Sequence, residues 1–107
     1  KPSAIFVSSD LMAVACIQVL NAHGLSVPED VAVIGFDDLS LAATTSPPLT
    51  TVRQHVEQLG RAAVELLLKL IEQPEAAHES IVIPTELIIR ESCGARKNKP
   101  IARTLEG

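Results

Sequence analysis

Two adjacent carboxylates, Asp37 and Asp38, are the residues of this sequence best placed to do chemistry. They end the stretch 31–38, in which an apolar, β-branched run leads into a glycine and then into the acidic pair. Such a run predicts a parallel strand buried on both faces. The carboxylates then lie just past its carboxyl end, where open α/β sheets bind ligands. The pattern indicates recognition of a small polar molecule.

Three roles are open to this acidic pair: a general acid–base pair, part of a metal site, or a hydrogen-bonding clamp. Adjacent residues of an extended chain point to opposite sides, so we expect the two carboxylates to do different work. We expect Asp37 to accept hydrogen bonds from the hydroxyl groups of a polyol or sugar, or to pair with an amine. We expect Asp38 to cap the turn at residues 39–41. The simpler alternative is that both carboxylates only cap that turn.

Ser9 and Asp10 follow the first predicted strand, residues 4–7. Asp10 is a favoured N-cap residue for the helix that comes next. Ser9 lies beside Asp37 if the two strands are neighbours, so it is a second, weaker candidate for ligand contact.

The residue patterns of catalytic and metal sites are absent from this sequence. No serine lies in a G-x-S-x-G strand–turn–helix context, and no H-x-x-x-H or C-x-x-C spacing occurs. The three histidines, His23, His55 and His78, share no pattern. We therefore expect a protein that is not an enzyme and that holds neither a cofactor nor a metal.

Composition favours one folded domain. The 107 residues are 47% hydrophobic and 21% charged, which supplies ample material for a core. A formal charge of −4 gives no basic surface for nucleic acid, and no apolar window predicts a membrane span.

The start lacks both a signal-peptide layout and an initiator Met, so we expect a fragment of a longer chain. Two cysteines, Cys16 and Cys93, suit a reducing cytoplasm.

Hydrophobic periodicity predicts alternating strands and helices. Strand 4–7, helix 11–22 and strand 31–35 form a parallel βαβ unit. A short helix or irregular turn follows at 39–45. The later elements are a brief strand at 49–53, an amphipathic, solvent-facing helix at 55–73, and an extended segment at 80–90 that leaves one sheet at Pro84 and joins another.

The first helix is apolar nearly all round, because only Gln18 and Asn21 are strongly polar between residues 11 and 22. Such a helix is buried on more than one side. One interpretation is that a face with Val14, Ile17 and Gln18 meets another protein chain. The other is that missing parts of the same domain cover it.

Several segments together resemble the lactose-repressor (LacI/GalR) family of bacterial transcription regulators, over about residues 4–93. No single motif is decisive, but their order and spacing are specific. The segments are 4–13 (AIFVSSDLMA), 24–38 (GLSVPEDVAVIGFDD), 47–54 (PPLTTVRQ), 59–60 (LG) and 90–92 (RES).

This resemblance implies a partial periplasmic-binding-protein-like (type I) α/β fold with a parallel sheet. Residues up to about 46 would belong to the C-terminal subdomain. The chain would then cross at 47–51, contribute helix 55–73 to the N-terminal subdomain, and return near 83–86. The resemblance implies that Asp37 contacts the effector. Ser9 stands where the family often has Asn, which hints at a different effector. The implied dimer surface includes Val14, Ile17, Ala43 and Thr44.

The predicted organisation is an effector-binding and dimerisation region at 1–94 and a polar, basic, poorly ordered tail at 95–107. The function that the resemblance implies is effector sensing by a cytoplasmic, homodimeric regulator. Its partners would be a small, sugar-like molecule and operator DNA, the latter only through an upstream helix-turn-helix that these residues lack. The alternative is part of an extracytoplasmic sugar-binding protein of a transport system.

Overall fold

The computed structural model describes residues 2–75 and 79–95. Its strands are β1 Ala4–Phe6, β2 Ala32–Asp37, β3 Thr50–Arg53 and β4 Glu86–Ile88. Its α-helices are α1 Asp10–Ala22 and α2 Val56–Glu72, and a 3-10 helix spans Ser40–Ala43. The strands form one sheet in the order β1-β2-β3-β4. The first three strands are parallel and β4 is antiparallel to β3, so the sheet has the predicted α/β character.

Both helices and the first three strands agree with the predicted bounds to within two residues. α1 ends before Gly24, whose φ of +77° favours glycine. The predicted helix at 55–73 is α2 with its two capping residues. β2 is longer than predicted, because Phe36 and Asp37 remain paired with Val52 and Arg53. The predicted tail at 95–107 lies outside the described residues, apart from Ala95.

The extended segment at 80–90 has only a short paired part. Residues 79–85 carry no strand, and pairing with β3 begins at Glu86. Pro84 cannot donate to a sheet ladder, which is consistent with a strand that starts only beyond it. β4 belongs to the same sheet as β1–β3, so the described residues contain no second sheet.

The core lies between α1 and the sheet. Ala13 and Ile17 project from α1 into a cluster with Val33 of β2 and Leu49 just before β3. Ile17 is only 4% exposed. The side chain of Ile17 is therefore used in the chain's own core, which leaves little of it for the predicted dimer surface.

Ser92 joins the end of the described chain to the centre of the sheet. Its hydroxyl donates to the carbonyl of Val33 at 2.5 Å and accepts from the amide of Thr50 at 2.8 Å. The amide of Val33 donates to the Ser92 carbonyl at 2.9 Å. Since Ser92 is fully buried, these hydrogen bonds satisfy polar groups that water cannot reach. They hold the start of β2 and the start of β3 together.

α2 contains no buried residue. Part of its apolar stripe lines a groove with Ile81 and Ile83. Leu67 and Ile71 nevertheless remain 56% and 65% exposed. The predicted amphipathic pattern is present, but the described part of the chain leaves its apolar side open.

Gly35 allows β2 to pass close to Asp10. A Cβ atom at position 35 would lie 2.4 Å from the Asp10 Oδ1 atom and 3.0 Å from the Leu49 side chain. Both neighbours are fully buried, so neither can move away without disturbing the core. β2 therefore needs glycine at this position.

We expect Gly35→Ala to lower the free energy of unfolding by about 1–3 kcal/mol, because the added methyl group overpacks the core. Urea denaturation measures this change. The matched control is Gly60→Ala in α2, where an added Cβ meets nothing within 4 Å. That variant should be neutral or more stable by up to about 1 kcal/mol, because alanine favours helix. Equal stability changes in the two variants would contradict the close approach at Gly35.

Candidate functional site

Polar side chains gather where β2 and β3 end. The two strands are parallel and pair Asp37 with Arg53, so the residues that follow them leave the sheet at the same edge. Asp38 follows β2 and Gln54 follows β3. This edge is where parallel α/β sheets bind ligands. The structure therefore places the predicted acidic pair at the edge where sheets of this kind bind ligands.

Asp37 is half-buried and makes one side-chain hydrogen bond within the described chain. The amide Nε2 of Gln54 donates to its Oδ1 at 2.9 Å. A carboxylate has about four lone-pair directions, so Asp37 keeps acceptor capacity for further donors. The Gln54 amide brings a carbonyl oxygen to the same place, which can accept a hydrogen bond as well. The pair can thus hydrogen-bond a polyhydroxylated molecule.

Asp38 is held between two arginines. Its Oδ2 atom lies 2.7 Å from the Nε of Arg53, and its Oδ1 atom lies 2.9 Å from the Nη2 of Arg90. The Asp38 side chain is 8% exposed and that of Arg90 is 17% exposed. Arg53 is more exposed to solvent, and its Nη1 atom also lies 3.5 Å from the Oε2 atom of Glu86. Charge-assisted contacts of this kind are stronger than neutral hydrogen bonds.

The arginines set the ionisation of Asp38. Burial by itself would raise the pKa of the Asp38 carboxyl group. The hydrogen bonds and charges of Arg53 and Arg90 outweigh burial, and the pKa of Asp38 lies below its ordinary value. The same contact with Asp38 raises the pKa of Arg53. Asp38 is therefore a structural anion, as predicted, but its role is an ion pair and not a cap.

Asp10 caps the turn that was assigned to Asp38. Its Oδ2 accepts the amide of Leu39 at 2.7 Å, and its Oδ1 accepts the hydroxyl of Thr51 at 2.6 Å. The prediction that Asp10 is the N-cap of α1 is wrong by one residue. Ser9 is the N-cap, and its hydroxyl accepts the amide of Met12 at 3.3 Å. Asp10 is instead a fully buried connection between α1, the turn after β2, and β3.

Ser9 lies after β1, the strand next to β2, and is half-buried. No hydrogen bond joins it to Asp37 within residues 2–75 and 79–95. Its hydroxyl hydrogen is not used by the cap, because there the oxygen accepts. Contact between Ser9 and a ligand therefore stays a prediction.

Arg53, Gln54 and Arg90 are the site residues that sequence reasoning missed. A signal for Gln54 was available, because it directly follows the predicted strand at 49–53, and residues that follow strands of α/β sheets are candidates for ligand contact. No local signal pointed to Arg90, which is 52 positions after Asp38 in the sequence and reaches it through β4.

The predicted dimer residues other than Ile17 are accessible. Gln18, Ala43 and Thr44 are exposed, and Val14 is half-buried. The contact between Asp10 and Leu39 holds the start of α1 beside the segment that enters the 3-10 helix. The other side of α1 is also open, and its apolar residues form a groove beside edge strand β1. This groove is lined by Ile5, Met12, Ala15, Cys16, Val19 and Leu20.

Among residues 2–75 and 79–95, no group of three His, Cys, Asp or Glu side chains could hold a metal ion. No helix of this part of the chain is long and apolar enough to cross a membrane. The arrangement that the structure does contain is a carboxylate and an amide beside an ion-paired cluster.

Comparison with known proteins supplies a context for this arrangement. A family profile described as a periplasmic binding protein-like domain matches residues 1–93. The ribose operon repressor of Haemophilus influenzae is 39% identical over 92 residues, which are 86% of this chain and 28% of that repressor. The chain thus spans little more than a quarter of that relative's length.

Solved structures agree with this match. The transcriptional regulator CelR in complex with cellobiose has a TM-score of 0.78 and is 43% identical, over 84% of this chain and 28% of that one. The lac repressor dimer bound to operator and the anti-inducer ONPF has a TM-score of 0.77 and is 33% identical. The match covers 86% of this chain and 28% of the repressor chain.

We expect Asp38→Asn to lower the free energy of unfolding near neutral pH by about 1–3 kcal/mol, since Arg90 loses a charged partner. The pKa of Asp38 in the folded protein is below its ordinary value of 3.8. The contribution of the ionised Asp38 to the free energy of unfolding is therefore complete above that ordinary value. It is lost as pH falls through the pKa that Asp38 has in the folded protein. Urea denaturation between about pH 3 and pH 7 should show the difference from wild type shrinking on acidification.

The control for this pH series is Glu86→Gln. Glu86 is 52% exposed and lies at 3.5 Å from Arg53, so its loss should change stability by less than about 1 kcal/mol. A stability difference between wild type and Asp38→Asn that stays constant down to the lowest pH would contradict the assigned ion pairs.

Proposed function

The chain belongs to the periplasmic binding protein-like domain family, in the form found in LacI-type repressors, and we propose that it senses the effector of such a regulator and forms its dimer. The observation that carries this proposal is the pairing of Asp37 with Gln54 at the carboxyl edge of the sheet. The chain spans 28% of the ribose operon repressor, so the regulatory activity of a whole repressor is part of this proposal.

We propose a neutral polyhydroxylated effector, such as a sugar or a related metabolite. Asp37 has lone pairs for hydroxyl hydrogens, and Gln54 offers both a donor and an acceptor. The carboxylates of Asp38 and Glu86 offset the charges of Arg53 and Arg90, which makes this edge a poor site for a phosphate. The regulator CelR, whose solved structure contains cellobiose, is 43% identical to this chain. Ser9 is a further contact in this proposal.

The proposed mechanism is a change in the relative orientation of two subdomains. Residues up to about 46 would form part of one subdomain, and α2 would belong to the other. The exposed apolar residues of α2 support this division, because the described residues do not bury them and the rest of the second subdomain would. An effector in the cleft shifts the equilibrium only by its differential affinity for the two orientations. The shift would reach operator DNA through an upstream helix-turn-helix.

Homodimerisation would use one side of α1 and the segment after the acidic pair. Val14, Gln18, Ala43 and Thr44 are accessible, and the Asp10–Leu39 hydrogen bond holds these two segments close together. This surface favours the regulator over the alternative of a monomeric transport receptor, which would have no use for it. We place the protein in the cytoplasm, where operator DNA lies, and assign it no enzymatic activity, cofactor or metal.

We expect Asp37→Asn in the full-length protein to weaken binding of its sugar effector by about 10–100-fold, because hydrogen bonds to a charged group are lost. Isothermal titration with a panel of neutral mono- and disaccharides that includes cellobiose measures this. The matched control is Asp30→Asn, in the turn before β2 at the opposite end of that strand. Equal affinity of the wild type and the Asp37→Asn variant for the sugar would contradict the proposed role of Asp37.

We expect Val14→Glu to convert the full-length dimer to monomers at micromolar concentration, because a charge would be buried at the interface without a partner. Analytical ultracentrifugation reports the change. Gln58→Glu on the exposed face of α2 adds the same carboxylate elsewhere and should leave the dimer intact. A Val14→Glu variant that sediments as the wild-type dimer would exclude this surface.

A further inference from the structure

The backbone at the acidic pair is strained. Asp37 has a φ of 114° and Asp38 has a φ of 56°, although neither is glycine. Non-glycine residues in such regions cost on the order of 1–3 kcal/mol each, and they persist only where surrounding contacts hold them. Two of them in succession therefore call for specific contacts that fix this part of the chain.

Asp38 has the contacts that can hold this conformation. Its two carboxylate oxygens are engaged by two different guanidinium groups, those of Arg53 and Arg90. Its amide also donates to the hydroxyl of Thr51 at 3.3 Å. Both ends of the residue are thus fixed to β3 and to the segment after β4.

Arg90 is itself held rigidly. Its Nη1 donates to the carbonyl of Leu49 at 2.9 Å, and its backbone amide donates to the hydroxyl of Thr50 at 2.9 Å. Leu49 and Thr50 are buried. The guanidinium group therefore presents Nη2 to Asp38 from a fixed position, which a flexible surface arginine could not do.

Leu39, the residue that follows Asp38, is held in place as well. The amide of Leu39 donates to the buried carboxylate of Asp10. On the other side, Phe36 is paired with Val52 in the sheet. Asp37 is thus the last paired residue of β2, directly before a segment held by Asp10, Arg53 and Arg90. Its carboxylate is directed to Gln54, whereas that of Asp38 is directed to the arginines.

We propose that Arg53 and Arg90, acting through Asp38, are positioning residues that keep the Asp37 backbone at positive φ and so present its carboxylate to the effector. This inference rests on the proposed function, in which Asp37 binds the effector. It adds that binding depends on an ion-pair cluster that the effector does not touch. Arg90 contributes most, because it is the better buried and the more rigidly held of the two arginines.

A double-mutant cycle in the full-length protein tests this inference. The variants are Arg90→Gln, Asp37→Asn and their combination, and the measurement is isothermal titration with the sugar that binds best in a panel of neutral mono- and disaccharides. If Arg90 acts through Asp37, Arg90→Gln should weaken binding about tenfold when Asp37 is present. In the Asp37→Asn background it should weaken binding by less than about twofold.

Other outcomes are equally informative. Equal losses from Arg90→Gln in both backgrounds would mean that Arg90 only supports the fold, and the inference would be overturned while Asp37 kept its role. No loss in Asp37→Asn itself would overturn the proposed function instead. Lys69→Gln is the control, because it removes an exposed ion pair between Lys69 of α2 and Glu79, and it should leave affinity unchanged in either background.

Two further experiments test the inference if Arg90→Gln does not fold or if no sugar in the panel binds. One uses a second variant, and the other needs no ligand. Arg53→Gln removes the more exposed arginine, whose side chain is 45% exposed, and should give a smaller loss with the same dependence on Asp37. Crystal structures of Arg90→Gln and wild type compare the backbone at Asp37 directly. A shift of its φ to negative values in the variant supports the inference, and an unchanged positive φ overturns it even if no sugar binds.

Discussion

The buried carboxylate of Asp10 is the interaction on which the arrangement of this structure depends. A buried carboxyl group needs hydrogen-bond partners, because burial of a polar group without them is costly. Its two partners are the Thr51 hydroxyl on β3 and the Leu39 amide after β2, so a single side chain of α1 fixes both. The same carboxylate explains why β2 carries Gly35, since a Cβ there would collide with Oδ1. Helix, central strands and binding edge are thereby positioned relative to one another.

The sequence predicted the elements well because their signals are local. The apolar run before Asp37, the nearly all-apolar run at 11–22 and the amphipathic pattern at 55–73 are each signals within one short segment, and all three elements are confirmed. The resemblance of short segments to LacI-type regulators is confirmed by the family match over residues 1–93 together with the similarity to the ribose operon repressor and the lac repressor. Site assignments that rested on neighbouring positions alone were less accurate. Ser9, and not Asp10, caps α1, because both residue types are good caps and only tertiary contacts decide between them.

What the sequence could not predict depends on contacts between distant residues. Nothing near position 38 indicates that its carboxylate will meet Arg90, and nothing near position 92 indicates that its hydroxyl will join β2 to β3. The burial of Ile17 was missed for a related reason. The sequence of a helix that is apolar all round does not reveal which side faces the sheet. In the structure, the side with Ile17 faces the sheet, because Ile17 packs in one cluster with Val33 and Leu49. The ligand roles of Asp37 and Ser9 and the division at residue 94 remain predictions.

A crystal structure of the full-length protein with its bound sugar tests the central claim most directly. The account predicts that the Asp37 carboxylate and the Gln54 amide both lie within hydrogen-bonding distance of sugar hydroxyl groups, with Asp38 still between Arg53 and Arg90. A sugar bound elsewhere, or bound at this edge without contact to Asp37, would contradict the account.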